Sequence, residues 1–479
     1  MQEEVRSGAA AARRLAEGAG LRDVLDTGDP AAWLALDEGV RAEELSFPPY
    51  VVPAWEETDG GRSLTAVLRG GGPLTEGQLA LALCHRDGRI RHRALGRAAG
   101  LAALPALLPL VAVRCTDWAQ PVRERARKRL TEALDAGTAA RLAPLIRRLA
   151  DRHRGDFALG LLGDVLRQAD GEPLTPLLTS ADRPVRRFAY GLAVEEGFLS
   201  CAELARAAAR DDDAVVQTLC ADAALAAVTD EDAEEVLEAL LGAPGPRARA
   251  AGVTALRRFG RPVGVPPAGE NRDPGRAAGF LADRSALVRA CARYVVRQHG
   301  SDPLPWYRER CADPRDPAIA PGAPIGLAEC GTRADAVLLW PLLDHPVPGV
   351  RARAVAGLRL LDVTDMARMR RLLDDPAPGV VGEATLALLP SAGLLPEAWL
   401  VQRLAPERPR WVRVSAQRLL SAHGEAARLR AAVALLDDAD DRLRTRAELT
   451  VRRALPWGAR SRSGPEAARL LAEARHRLG

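Results

Sequence analysis

A seven-residue pattern returns at a nearly constant interval along most of this chain. That period limits the fold more tightly than any other feature of the sequence. The pattern is a turn containing Asp, Pro or Gly, then an aliphatic residue, then Arg, then Ala three residues after the Arg. Clear copies are GRIRHRA ending at Ala94, QPVRERA at Ala126, RPVRRFA at Ala189, ALVRACA at Ala292, PGVRARA at Ala354, RWVRVSA at Ala416 and DRLRTRA at Ala447. Weaker copies are AVVQTLC at Cys220, PRARAAG at Gly252 and PGVVGEA at Ala384. The position after the aliphatic residue falls at Arg91, Arg123, Arg186, Gln217, Arg249, Arg289, Arg351, Val381, Arg413 and Arg444. The intervals are 32, 63, 31, 32, 40, 62, 30, 32 and 31 residues. The two long ones are doubled periods, so degenerate copies are expected near Arg154–Gly163 and Ala318–Leu327. Counting both gives about twelve units.

One unit can be read in detail from Asp117–Leu149. Asp117 and Pro121 suit the start of a helix, because Pro is tolerated in the first turn. Val122, Ala126, Leu130 and Leu134 follow at four-residue steps and form one helical face. Gly137 is expected to stop that helix. A second helix should carry Leu142, Leu145, Ile146 and Leu149 as its apolar stripe. Such a pair of short helices cannot bury both stripes alone and must stack on its neighbours.

Length agrees with an open-ended array. A chain of 479 residues exceeds the roughly 250–300 at which single cores stop growing. The apolar residues, 47% of the chain, are mainly Ala, Leu and Val, and only 4% of residues are aromatic. This composition favours closely packed helices over disorder. The expected fold is all-α, a right-handed α-solenoid or superhelix of about twelve two-helix repeats.

The repeated residues resemble HEAT repeats, and among those the short bacterial kind found in phycobilin-lyase-type HEAT-like proteins. The D-x-x-V-R-x-x-A signature stands well in Asp182–Ala189, and with an extra turn in Asp344–Ala354. The resemblance covers roughly residues 74 to 455. It implies a non-catalytic scaffold or adaptor that binds a partner protein along its concave face, the face built by the helices that begin at V-R. Two other functions are implied by subsets of similar proteins. One is nucleic-acid binding like that of HEAT-like alkylpurine DNA glycosylases; the other is a bilin-lyase-type enzyme subunit, which rests on fold-level analogy alone.

The regular arginines have two readings. They could form a basic track, or each could pair with an acid of its own or the adjacent repeat and tie the turns together. Asp87, Asp117, Asp182, Asp213, Asp283, Asp344 and Asp437 supply acids at repeating positions, which favours ties. The candidate partner-binding residues are Trp118, Arg123, Arg127, Arg186, Arg249, Arg289, Arg351, Trp411 and Arg413. The two tryptophans are included because Trp is enriched at binding hot spots. Trp306, Trp340, Trp399 and Trp457 also stand out in an aromatic-poor chain.

Charge is distributed in blocks. The net is −7 over residues 1–83, +10 over 84–154, −12 over 155–245, +6 over 246–335, zero over 336–405 and +7 over 406–479, summing to +4. A nucleic-acid track should be continuously basic. Alternating blocks fit a protein partner with its own charge pattern better, so protein is the expected ligand and nucleic acid the alternative.

The period breaks in four places. Residues 1–73 are expected to form an N-terminal helical cap, with Trp33 on an apolar helix face and an extended Pro-rich segment at Phe47–Trp55. The array over 74–455 carries a loop insertion at 260–275. The Pro-rich unit Asp313–Pro324 cannot carry a regular first turn. Residues 456–479 should be a capping helix with Leu470, Leu471 and Leu478 apolar.

Motifs for chemistry are missing. There is no GxGxxG after a strand, no GxxxxGK[ST], no HExxH and no GxSxG. The seven cysteines form no CxxC pair and read as reduced, buried thiols. The histidines are scattered. The expectation is no enzyme, no cofactor and no metal. No run of apolar residues is long enough to span a membrane, and the first residues lack a secretory pattern, so a cytoplasmic location is expected.

Overall fold

The computed structural model describes residues 2–41, 53–70, 72, 74–97, 105–169, 172–259, 275–454 and 465–478. Every regular element among them is a helix. The chain divides into two units, Met1–Ala239 and Leu240–Gly479. Each is a stack of short helices in which V-R helices pack on one another and on the helices between them.

Helix Gln120–Ala133 illustrates why the repeat folds as it does. Pro121 sits in its first turn, and Val122, Ala126 and Leu130 are buried. The chain leaves this helix at Leu134 in extended conformation, and Asp135 then caps helix Ala136–Ala150 by accepting from Thr138 N at 2.7 Å. Gly137 therefore lies in the first turn of the second helix and does not stop the first. An extended leucine followed by an aspartate cap makes the turn without a left-handed residue. Leu142, Leu145, Ile146 and Leu149 are buried as expected.

The invariant small residue of each copy is explained by packing. Ala94, Ala126, Ala189, Ala292, Ala354, Ala384 and Ala447 are all fully buried. At Gly252, the glycine version of this position, a Cβ would meet Leu240 and Leu241 of the preceding helix, so a larger side chain there would hold the two helices apart. Helices Asp156–Arg167 and Gly322–Cys330 occupy the two degenerate copies. The second is entered through turns in which Asp313 and Asp316 accept from Arg315 N and Ala318 N, so the Pro-rich unit indeed lacks a regular first turn.

The first residues pack on the array within the first unit. Helices Gln2–Ala16 and Pro30–Arg41 cross at Gly8 and Gly39, where a Cβ on either glycine would collide with the other helix's backbone. Trp33 is buried, and its Nε1 donates to Thr27 O at 3.1 Å. Asp37 is buried against both Arg41 and Arg114. Buried Trp55 donates to Val40 O at 3.0 Å. Residues 47–52 of the extended segment and 260–274 of the insertion lie outside the described residues. Helix Pro465–Leu478 buries Leu470 and Leu471. No described helix is long and apolar enough to cross a membrane.

Candidate functional site

The repeating arginine is fixed by one local geometry. At eight of the ten repeat positions residue i of the V-R helix donates to the carbonyl of residue i−6, in the turn before its own helix. Arg91 donates to His85 O at 2.7 Å, Arg123 to Asp117 O at 2.8 Å and Arg186 to Ser180 O at 2.7 Å. Gln217 donates to Asp211 O, Arg249 to Ala243 O, Arg289 to Asp283 O, Arg351 to His345 O and Arg444 to Asp438 O. The turn carbonyls before each helix thereby gain a donor.

The remaining edge of the guanidinium reaches the next repeat. Arg91 pairs with both carboxylate oxygens of Asp117 at 2.8 and 2.9 Å. Arg249 does the same with Asp283 at 3.0 Å, and Arg351 with Asp375 at 2.9 and 2.8 Å. Arg186 meets Asp211 and Asp212, Arg289 meets Glu329, and Arg413 meets Asp438. Where the partner is Asp117, Asp211, Asp283, Asp375 or Asp438, it is itself the i−6 residue of the following copy. At Asp117, Asp211, Asp283 and Asp438 one turn residue therefore gives its carbonyl to its own repeat and its carboxylate to the repeat before. These bidentate, largely buried pairs are ties.

The candidate residues sort accordingly. Arg186, Arg249, Arg289 and Arg413 are buried in these pairs, and Arg351 is nearly so. Arg123 bonds the backbone of Asp117 and Trp118, and no carboxylate pairs with it among the described residues. Arg127 donates to Cys115 O and Arg154 O and lies 4.7 Å from the Phe157 ring centroid. Trp118 is 69% exposed, with the Arg91 guanidinium 5.9 Å from its ring. Trp411 is half-buried, and its Nε1 has no hydrogen-bond partner.

A different cluster gathers on the helices that precede the V-R helices in the second unit. The helical turns around Trp340, helix Met366–Arg371 and helix Glu397–Val401 stand at one repeat position after another. Arg368 lies over Trp340 at 4.9 Å. Arg370 and Arg403 lie over Trp399 at 4.1 and 3.4 Å. Arg403 is buried and paired with Asp374, and desolvation holds its pKa below the usual arginine value. Two clefts of about 470 and 640 Å³ adjoin along Arg368, Arg371 and Asp374, one reaching Trp340 and the other Trp399.

Most charges lining these clefts are paired. Asp375 holds Arg351, Asp374 holds Arg403 with Arg408 at 3.9 Å, and Asp365 stands 3.6 Å from Arg368. Arg370 and Arg371 have no carboxylate partner among the described residues. Sequence reasoning named both tryptophans but not these arginines. The available signal was the run MARMRR on a short helix, with a Trp one repeat to either side.

No protein-family model matches this sequence, and no curated protein does. Structural comparison returns two crystal structures of importin beta. The one in an ammonium sulfate condition is 14% identical, covers 94% of this chain and 70% of that chain, and has a TM-score of 0.34. The one in a polyethylene glycol condition is 14% identical, covers 98% and 75%, and has a TM-score of 0.26. The crystal structure of Kap121p is 14% identical, covers 95% of this chain and 54% of that chain, and has a TM-score of 0.23. The HEAT-like repeat architecture is carried by the ladder and the helix pairs themselves, independently of these superpositions.

Proposed function

We propose that this chain is a scaffold that binds a partner protein. The observation that carries the reading is where the arginines are spent. A continuous basic track would need the ladder guanidiniums free to meet phosphates. Six of the ladder positions instead hold carboxylates of the neighbouring repeat. The same repeats leave an aromatic and guanidinium-lined groove at Trp340–Trp399. Trp and Arg are the residue types that anchor protein interfaces. The reading moves the contact from the V-R edge to this groove. Alternating charge blocks would set the register of the partner along the array.

A photo-cross-linking residue at Val337 tests this, because Val337 is 68% exposed one turn from Trp340. In extract of the cell of origin it should give one predominant protein adduct. The same probe at Leu449, which is 49% exposed on another helix, should not give that adduct. Duplex DNA should bind more weakly than about micromolar at physiological salt. Tighter binding with a steep salt slope would replace the protein reading by the nucleic-acid one.

A further inference from the structure

We propose that the Trp340–Trp399 groove receives a carboxylate-rich segment of the partner protein, with Arg370 and Arg371 as the receiving pair. The proposal rests on the scaffold reading above and adds the chemistry of what is bound.

Pairing around the groove is incomplete at two arginines. Arg351, Arg368, Arg403 and Arg408 all stand near an aspartate of the groove. Arg370 and Arg371 are adjacent and have no carboxylate of their own. Arg371 is exposed and lines both clefts. A carboxylate entering from outside would give Arg370 and Arg371 the kind of partner that the arginines beside them in the groove already have.

Arg370 has its guanidinium over Trp399 at 4.1 Å. The ring face attracts the cation without taking up its N–H groups, and those are the groups that bond a carboxylate in two parallel hydrogen bonds. Much of the entropy cost of ordering a long side chain is then met before the ligand arrives.

The covered indole faces separate a peptide from a nucleic-acid strand. Single strands bind by stacking bases on open aromatic faces. Here Arg368, Arg370 and Arg403 already lie over the two indoles. Asp344 and Asp374 line the same clefts and would face a phosphate chain. A peptide suits both signs. Its Asp or Glu side chains meet Arg370 and Arg371, and its backbone N–H groups can donate to Asp344.

Fluorescence anisotropy of the full chain with a labelled oligoglutamate peptide tests the proposal. Oligoglutamate should bind, and Arg370→Ala/Arg371→Ala should weaken it about tenfold or more. Arg370→Lys/Arg371→Lys should recover part of the loss, since the charges return without the planar fork. Arg452→Ala/Arg453→Ala removes an exposed pair on another helix and should leave binding unchanged. The proposal fails if oligoglutamate does not bind, if both alanine pairs weaken it equally, or if oligothymidylate of equal charge binds more tightly through Arg370 and Arg371. If the Val337 adduct forms with the wild-type chain and persists in the Arg370→Ala/Arg371→Ala variant, the acidic-segment proposal falls while the scaffold reading stands. If oligoglutamate binds through the pair but no specific adduct forms, the scaffold reading falls instead.

Discussion

Arg91 and Asp117 are 26 residues apart in sequence, yet they share two hydrogen bonds of 2.8 and 2.9 Å with both side chains 1% exposed. Arg114 joins them, with Nη1 at 3.1 Å from the same carboxylate. Removing Asp117 therefore strands the buried Arg91 guanidinium, while Arg114 keeps Asp37. Asp117→Ala should cost about 3–5 kcal/mol in the first unit, the range for an uncompensated buried charge. Arg91→Met should cost less, because Asp117 keeps Arg114. Urea denaturation of both variants checks the asymmetry, and equal losses would contradict it.

Glu329 receives two arginines, Arg289 and Arg293, where most rungs pair one arginine with an aspartate of the next turn. Both guanidiniums hold its carboxyl below the usual range, against the desolvation that opposes them. Glu329→Gln should destabilise the second unit more than Asp375→Asn, which frees Arg351 alone. Comparing their denaturation midpoints decides it.

Acid should loosen the first unit through Asp213. Its carboxylate accepts from Arg187 at 2.7 Å and from Val215 N at 2.8 Å. Led by the Arg187 hydrogen bond, these contacts depress its pKa to about 2. A depressed folded-state pKa means that the unfolded chain takes up the proton first. The stabilisation is complete above the unfolded value of about 4 and is lost as pH falls towards 2. Asp213→Asn should lower stability at neutral pH and flatten its slope between about pH 4 and 2. An unchanged slope in a pH series of melts would sink the assignment.

The period was legible because one geometry repeats: an aliphatic residue buried, an arginine reaching back six residues, an alanine fully covered. Its acid partners were harder to read. Asp117 and Asp283 were named among the acids and do take the rungs. Asp87 and Asp182 instead accept from backbone N–H groups of their own helix starts, and Asp213 pairs with Arg187. Aspartate serves both a helix N-cap and the i−6 position, and the two lie a few residues apart in the same turn. Only the backbone path tells them apart. The groove was hidden for another reason. Residues 336–405 balance in formal charge. What matters there is that Asp374 and Asp375 are already paired while Arg370 and Arg371 are not, and a sum of charges carries no record of pairing.

The crossing of the first long helices gives the sharpest steric test. A Cβ at Gly39 would fall 2.2 Å from the Gly8 carbonyl carbon and 2.3 Å from Ala9 N, and no rotamer change can move a backbone away. Gly39→Ala must therefore push helix Pro30–Arg41 off helix Gln2–Ala16, at about 1–3 kcal/mol for overpacking. Gly160 is the control. It lies exposed in helix Asp156–Arg167 with nothing within 4 Å of a new Cβ, so Gly160→Ala should stabilise by about 0.5–1 kcal/mol through helix propensity alone. Hydrogen exchange resolves the two outcomes by position. Gly39→Ala should lose amide protection across residues 6–41 and Gly160→Ala should not. Intact protection in Gly39→Ala would mean that the two helices do not meet at their glycines.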